Sequence, residues 1–308
     1  MEAKAWKSVL ITSLAPVAWG TTYFVTRQYL PSDLPLWGSV LRALPAGLLL
    51  WALTRKLPRR DWWWRSALIS ALTIGGFFVL VYLAGQLLPS GVAAMIMAGS
   101  PALTLVLAWL LVGERVRPTA ALGAIAGAAG VALLIGAGLG ALDHLGVLAS
   151  LAAMGSATLG FVLAKRWQPP VDATTFASWQ LLFGGVMLVP VAMAFEGWPP
   201  VPSTSELLAF GYLTLVATAA AYAAWFHGLA HLPAGTVGLI GLLNPLAGTA
   251  LGVFVAGELF SPVQIFGAVL VVAGVGLGLV RPRRSARTPR PKLQAVLDSG
   301  GLRQLTGA

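Results

Sequence analysis

Long apolar runs limit this fold more than any other feature. Stretches of about twenty predominantly apolar residues succeed one another near 8–28, 35–53, 65–87, 90–112, 118–137, 145–165, 172–195, 205–229, 233–256 and 261–280. At 1.5 Å per residue such a stretch matches the roughly 30 Å hydrocarbon core of a bilayer. Only 10% of the residues are charged, where a soluble domain carries about 25%, and mean hydropathy is +0.82. A soluble surface cannot be built from that inventory. A membrane β-barrel would alternate apolar and polar residues with a period of two. Val92 to Val112 and Ala120 to Leu139 do not alternate, so the spans are expected to be helices. The fold class expected is an all-α membrane protein with ten transmembrane helices. The first span has no small-residue cleavage site behind a short apolar core and reads as a retained helix. The apolar content excludes intrinsic disorder. Absence of cysteine excludes a disulfide scaffold, a Cys-based metal site and a thiol nucleophile.

A net charge of +10 could mark a nucleic-acid binder. Mapped onto the spans, it reads differently. Lys4 and Lys7, then Arg55, Lys56, Arg59, Arg60 and Arg65, then Arg115 and Arg117, then Lys165 and Arg166, and finally seven bases of the tail all fall on one side. Only Arg27 falls on the other side, and Arg42 lies within the second span. The positive-inside rule then puts both termini in the cytoplasm, which an even number of spans permits. The bacterial inner membrane is the expected location. Attraction to anionic lipid headgroups accounts for the basic tail. The expected partners are the lipid bilayer and a small molecule, with no nucleic acid, and the chain is expected to act as a monomer.

The chain also repeats itself. Shifted by 144 residues, positions 88–136 align without a gap on 232–280, with 15 identities in 49 positions. Chance matching of Leu and Ala does not produce the co-linear skeleton Pro89, Gly91, Pro101, Gly113, Glu114, Pro118 against Pro233, Gly235, Pro245, Gly257, Glu258, Pro262. Each half would hold five spans, and five is odd. The second half therefore enters the membrane from the opposite side, giving two inverted five-helix repeats. That arrangement is typical of transporters that alternate access around a midplane site. The expected division is residues 1–140, residues 141–282 and a basic tail over 283–308.

Leu-Pro-x-Gly, a mid-helix Pro, Gly-Glu-x-x-x-Pro and a Gly-rich closing helix together resemble the drug/metabolite transporter superfamily. Within it the chain is similar to the ten-helix EamA-type exporters, and most nearly to bacterial amino-acid exporters of the YddG kind. Trp19-Gly20-Thr21-Thr22 resembles that family's Trp-Gly start, and Arg42 stands where the family often has Arg, with Gln180 as its counterpart in the second half. The resemblance covers about residues 8–280. It implies outward movement of a small polar or amphipathic metabolite through a cavity bounded by helices 1, 3, 4, 6, 8 and 9.

Residue by residue, the substrate-cavity candidates are Trp19, Thr22, Phe78, Tyr82, Met97, Ser100, Thr158, Tyr222, Trp225 and Asn244. Phe78, Tyr82 and Gln86 share one helical face by their spacing, as do Thr218, Tyr222 and Trp225 or Phe226. Such stripes serve packing or a pocket, and both readings stand. Aromatic rings would suit an amino-acid side chain, with cation–π contact for its ammonium. Hinge and gate candidates are Pro89, Gly91, Pro101, Pro233, Gly235 and Pro245. Pro101 and Pro245 each free a carbonyl one turn earlier, beside Ser100 and Asn244. Freed carbonyls are tolerated where they line protein or a cavity, although a plain packing kink serves equally.

In Gly-Glu-x-x-x-Pro, Gly113 is expected to end helix 4 in the left-handed conformation and Pro118 to start helix 5. Glu114 and Glu258 then read as helix-end caps, ahead of proton-coupling groups. Arg42 is open to outward snorkelling, pairing with a carbonyl, or binding a carboxylate. Trp6, Trp62, Trp63, Trp64, Trp167 and Trp198 read as interfacial anchors. His227 and His231 have the spacing of metal ligands but no third ligand nearby in sequence, so no metal is expected. No P-loop Lys and no Ser/His/Asp order suggests a cofactor or catalysis, and the chain is not expected to be an enzyme. No Asp or Glu lies near mid-span, where coupled pumps usually place ionisable groups. Uniport down the substrate gradient is therefore expected, with proton antiport second. A non-transporting membrane protein or an intramembrane lipid enzyme is the competing class.

Overall fold

Apolar runs bounded by Pro, Asp and Ser dictate helices, and helices are what form. The computed structural model describes residues 2–113, 118–136, 142–199, 201–232, 237, 240, 241, 243–257 and 259–279. In chain order the helices are α1 (Glu2–Tyr29), α2 (Pro35–Thr54), α3 (Trp62–Leu87), α4 (Ser90–Val112), α5 (Pro118–Gly136), α6 (His144–Trp167), α7 (Ala173–Phe195), α8 (Thr204–His231), α9 (Leu243–Phe254) and α10 (Pro262–Leu279). No strand occurs among the described residues. Among the described residues seven helices, α1 to α4 and α6 to α8, are long and apolar enough to cross a membrane. The described apolar stretches of α5, α9 and α10, at Ala121–Gly130, Leu243–Phe254 and Pro262–Gly274, are shorter than a full crossing. Glu114, Arg115, Arg117, Pro233, Gly235, Glu258 and the tail from residue 280 lie outside the described residues.

The helix ends follow local chemistry. Asp143 accepts from the Gly146 amide at 2.9 Å and Asp172 from the Thr175 amide at 2.9 Å. Ser203 and Glu206 form a capping box at α8. Each satisfies an amide that the first helical turn leaves unpaired. The Glu196 carboxylate, just past α7, accepts from the amides of Leu36 and Trp37 at 2.7 Å each and so caps α2. Gly113 ends α4 at φ +74° and Gly257 follows α9 at φ +67°, while Pro118 and Pro262 open α5 and α10.

The 144-residue relation reaches further than the sequence identities. One π-helical turn interrupts α3 at Ala71–Gly75 and another interrupts α8 at Leu215–Ala220. Leu88 and Leu232, which close α3 and α8, share extended backbone at φ −114°, ψ 154° and φ −118°, ψ 152°. α5 and α10 cross backbone to backbone. A Cβ on Gly130 would meet the Gly267 carbonyl, and one on Gly274 the Gly123 carbonyl and the Gly127 amide. Small residues at such crossings let apolar helices gain dispersion contact where no hydrophobic drive separates protein from lipid.

The tryptophans expected at the membrane interface divide. Trp6, Trp63, Trp64 and Trp198 are exposed. Trp62 instead is buried against Phe176 and Trp179, and Trp167 is half-buried, edge-on to Trp64. Three consecutive indoles cannot share one helical face, so one of them turns into the bundle.

Candidate functional site

The site begins with a close crossing. A Cβ on Gly20 would stand 2.5 Å from the Asn244 carbonyl oxygen and 2.8 Å from the Gly248 amide. Only glycine lets α1 and α9 approach this far, and the approach brings Trp19 and Asn244 to one cavity. The α4 break completes the wall. Pro101 carries no N–H to donate, and α4 is interrupted between Met97 and Ser100, so Met97, Ser100 and Pro101 face the same space.

That cavity, about 120 Å³, is lined by Trp19, Thr22 and Tyr23 of α1, Arg42 of α2, Phe77 and Val81 of α3, and Met97, Ser100, Pro101 and Thr104 of α4. Ala157, Thr158 and Phe161 of α6, Tyr222 and Trp225 of α8, and Asn244 of α9 close it. It extends along the bundle to Val112, Lys165 and Leu229, at the ends of α4, α6 and α8. Ser8 of α1 meets His227 Nε2 near that same end of α8, at 3.2 Å, so the cavity runs toward the end of the bundle that holds the N-terminus.

The opposite end is closed by hydrogen bonds between α3 and the α1–α2 connection. Gln86 Nε2 donates to the carbonyls of Thr26 and Leu30 at 3.1 and 3.0 Å. The Tyr82 hydroxyl donates to the Pro31 carbonyl, and Arg27 to the Leu88 carbonyl.

Of the candidates read from sequence, Trp19, Thr22, Met97, Ser100, Thr158, Tyr222, Trp225 and Asn244 line the cavity. Phe78 and Tyr82 do not. They face a small neighbouring cleft with Thr26, Gly38, Ser39 and Arg42. Phe77 and Val81 of α3 face the cavity in their place. Pro89 and Gly91 sit in the tight turn from α3 into α4, and Pro245 lies in the first turn of α9; Pro233 and Gly235 lie outside the described residues.

Four of the aromatic rings lining the cavity pack against one another. Trp19 lies 5.3 Å from Tyr222 and 5.1 Å from Trp225, and Phe161 5.8 Å from Trp225, centroid to centroid. These are edge and tilted contacts of the favourable kind. Several polar atoms on lining side chains have no hydrogen-bond partner among the described residues: Trp19 Nε1, Trp225 Nε1, Thr22 Oγ1 and Asn244 Oδ1.

Arg42 is buried, at 6% exposure, so it does not snorkel. Its Nε donates to Thr218 Oγ1 at 2.7 Å, its Nη2 to the Ala217 carbonyl at 3.2 Å, and its guanidinium lies over the Phe78 ring. Thr218 and Ala217 belong to the π turn of α8. In the other half Ser70, beside the π turn of α3, donates to Gln180 Oε1 at 3.0 Å. The polar side chains of α2 and α7 thus each reach the interrupted helix of the opposite half. His227 and His231 stack at 4.2 Å, and no group of metal-ligating side chains occurs among the described residues.

The profile of the EamA-like transporter family matches residues 6–136 and again residues 144–279. Protein PecM of Dickeya dadantii is 38% identical over 263 residues, covering 85% of this chain and 88% of PecM. The uncharacterized inner membrane transporter YedA of Escherichia coli K12 is 30% identical over 278 residues, 86% of this chain and 90% of YedA. The uncharacterized transporter YwfM of Bacillus subtilis is 28% identical over 288 residues, 89% and 94% of the two chains. A solved crystal structure of a protein 22% identical has the same fold, with a TM-score of 0.67 over 89% of this chain and 97% of that one.

Proposed function

The chain belongs to the EamA-like transporter family, and from that premise we propose that it exports small amphipathic metabolites, amino acids foremost, by alternating access. One observation carries the reading: a central cavity with an aromatic wall and unpartnered polar atoms, extended toward one end of the bundle and hydrogen-bonded shut at the other. Sites for small ligands are built this way, mostly apolar with a few placed polar groups. With the termini in the cytoplasm of a bacterial inner membrane, this is the inward-facing state, ready to load an export substrate. The halves 1–140 and 141–282 rock about the site, with Pro89 and Gly91 at the α3–α4 turn, and their repeat counterparts Pro233 and Gly235, as hinges.

Coupling is by the substrate gradient alone. No described carboxylate lines the cavity, and a proton relay through the membrane needs ionisable groups placed within it. Counterflow of labelled amino acids into proteoliposomes tests the function, and exchange of at least one amino acid is expected. No exchange across a broad panel by folded protein overturns it. Uphill uptake driven by a pH gradient alone would replace uniport with proton antiport.

A further inference from the structure

Arg42 places a full positive charge where little can balance it. Its partners are the Thr218 hydroxyl, the Ala217 carbonyl and the Phe78 ring, all neutral. The ion pairs among the described residues are Lys56–Asp172 and Arg65–Asp61, both elsewhere. A buried charge is expensive unless paired, and inside a membrane it is a functional group by default. The charge lies on the cavity wall.

The unpartnered polar atoms have the same bias. Trp19 Nε1 and Trp225 Nε1 are pure donors, and the Thr22 hydroxyl can donate; among these atoms only Asn244 Oδ1 is a pure acceptor. A zwitterion asks for an anion-binding end and a cation-binding end. This cavity has the first without a carboxylate for the second.

Resting on the export function above, we infer that the substrate class is defined by a carboxylate, held at Arg42 with the indole and hydroxyl donors, attached to an apolar or aromatic body, and that the ammonium of an amino acid is dispensable. Organic acids lacking the amine are therefore carried as well as amino acids, and amines lacking the carboxylate are not. Nε and Nη2 already donate to Thr218 and Ala217, and the Nη1 side of the planar guanidinium is the edge that would meet a carboxylate.

Three probes of one skeleton test it: phenylalanine, 3-phenylpropanoate without the amine, and phenethylamine without the carboxylate. Binding to the purified full-length protein is read from quenching of its tryptophan fluorescence, and phenylalanine counterflow is measured in parallel. The acid is expected to bind at least as tightly as phenylalanine and the amine at least tenfold more weakly. Arg42→Gln is expected to bring acid and amine within threefold of each other, and Arg42→Lys to keep a partial preference for the acid. Because Arg42→Gln removes bonds to α8, the double variant Arg42→Gln/Phe78→Tyr is measured beside it, its added hydroxyl standing in at the π turn. Amine binding equal to acid binding, or an acid preference that survives Arg42→Gln in a folded variant, overturns the inference alone. Absence of binding by all three probes to folded protein overturns the amino-acid reading and the inference with it.

Discussion

The guanidinium of Arg42 lies 4.2 Å from the centre of the Phe78 ring, and the 144-residue relation explains why. Phe78 corresponds to Tyr222, and Thr73 to Ala217. In one half the Tyr222 hydroxyl donates to the Thr73 carbonyl in the π turn, at 2.8 Å. Phe78 has no hydroxyl, and the corresponding Ala217 carbonyl takes its hydrogen bond from the arginine stacked on that ring. Each π turn widens the helix and releases a carbonyl, and the two halves satisfy it by different chemistry.

Stability and transport should therefore separate at this site. Tyr222→Phe and Arg42→Gln are each expected to lower stability by about 1 kcal/mol or more, the net value of a buried hydrogen bond. Adding Phe78→Tyr to Arg42→Gln should restore the thermal unfolding midpoint but not transport. Parallel melting curves and counterflow measure both. Recovery of transport together with stability would make Arg42 a purely structural group.

At the aromatic wall, Trp225→Phe keeps a ring beside Trp19 and Phe161 while removing the unpartnered indole N–H. Loss of one ligand hydrogen bond of about 1 kcal/mol is a factor of roughly five in affinity. Trp225→Ala also removes the ring and should impair transport further, with membrane insertion unchanged. Immunodetection in the membrane fraction and counterflow KM check the pair, and wild-type KM in both variants removes Trp225 from the site.

Part of this site is legible because repetition and proline leave marks in sequence. Ser100 and Asn244 beside their prolines mark the break in α4 and its counterpart on α9, whereas the crossing of α1 with α9 at Gly20 leaves no such mark. The π turns left none. Ala71–Gly75 reads as an ordinary apolar segment; α3 beyond it is apolar on every side, so the stripe of Phe78 and Tyr82 reads as the cavity face, which Phe77 and Val81 hold. Tyr23 and Phe161 were missed for a related reason. A helix apolar all round has no polar side to show which face meets lipid and which meets a cavity. Arg42 stood out as a charge, but its partners lie about 175 residues away on a turn whose geometry the sequence does not encode locally.

Outside the membrane, Asp172 gives a pH dependence. Burial raises its pKa, but the amide and hydroxyl of Thr175 and the nearby Lys56 ammonium outweigh that and hold the carboxyl below its ordinary range. A depressed carboxylate contributes stability that is fully present above its unfolded pKa, about 3.9, and is lost as pH falls through the folded value. The melting temperature should hold level from neutrality to about pH 5 and fall in more acidic buffer, less steeply in Asp172→Asn. Asp172→Ala loses the cap of α7 at every pH, a cost of about 1 kcal/mol. Identical acid limbs in wild type and Asp172→Asn would remove this group from the acid response.

The closed end of the bundle rests on few bonds. Gln86 alone spans the carbonyls of Thr26 and Leu30, and Tyr82 holds Pro31. Replacing Gln86 with Ala removes the half-buried side chain that ties α3 to the end of α1, while the Thr26 carbonyl keeps the Leu30 amide as a donor. Opening at that end becomes easier by about the value of the lost bonds, 1 to 2 kcal/mol or a five- to thirtyfold shift in population. The chain contains no cysteine, so Thr22→Cys places a single reporter on the cavity wall. Its reaction with a membrane-impermeant maleimide applied opposite the N-terminal end should accelerate several-fold when Gln86→Ala is added, and reaction from the N-terminal end should slow. Tyr82→Phe should shift both rates in the same directions by a smaller factor. Labelling rates independent of Gln86 would show that packing alone, without these hydrogen bonds, holds that end shut.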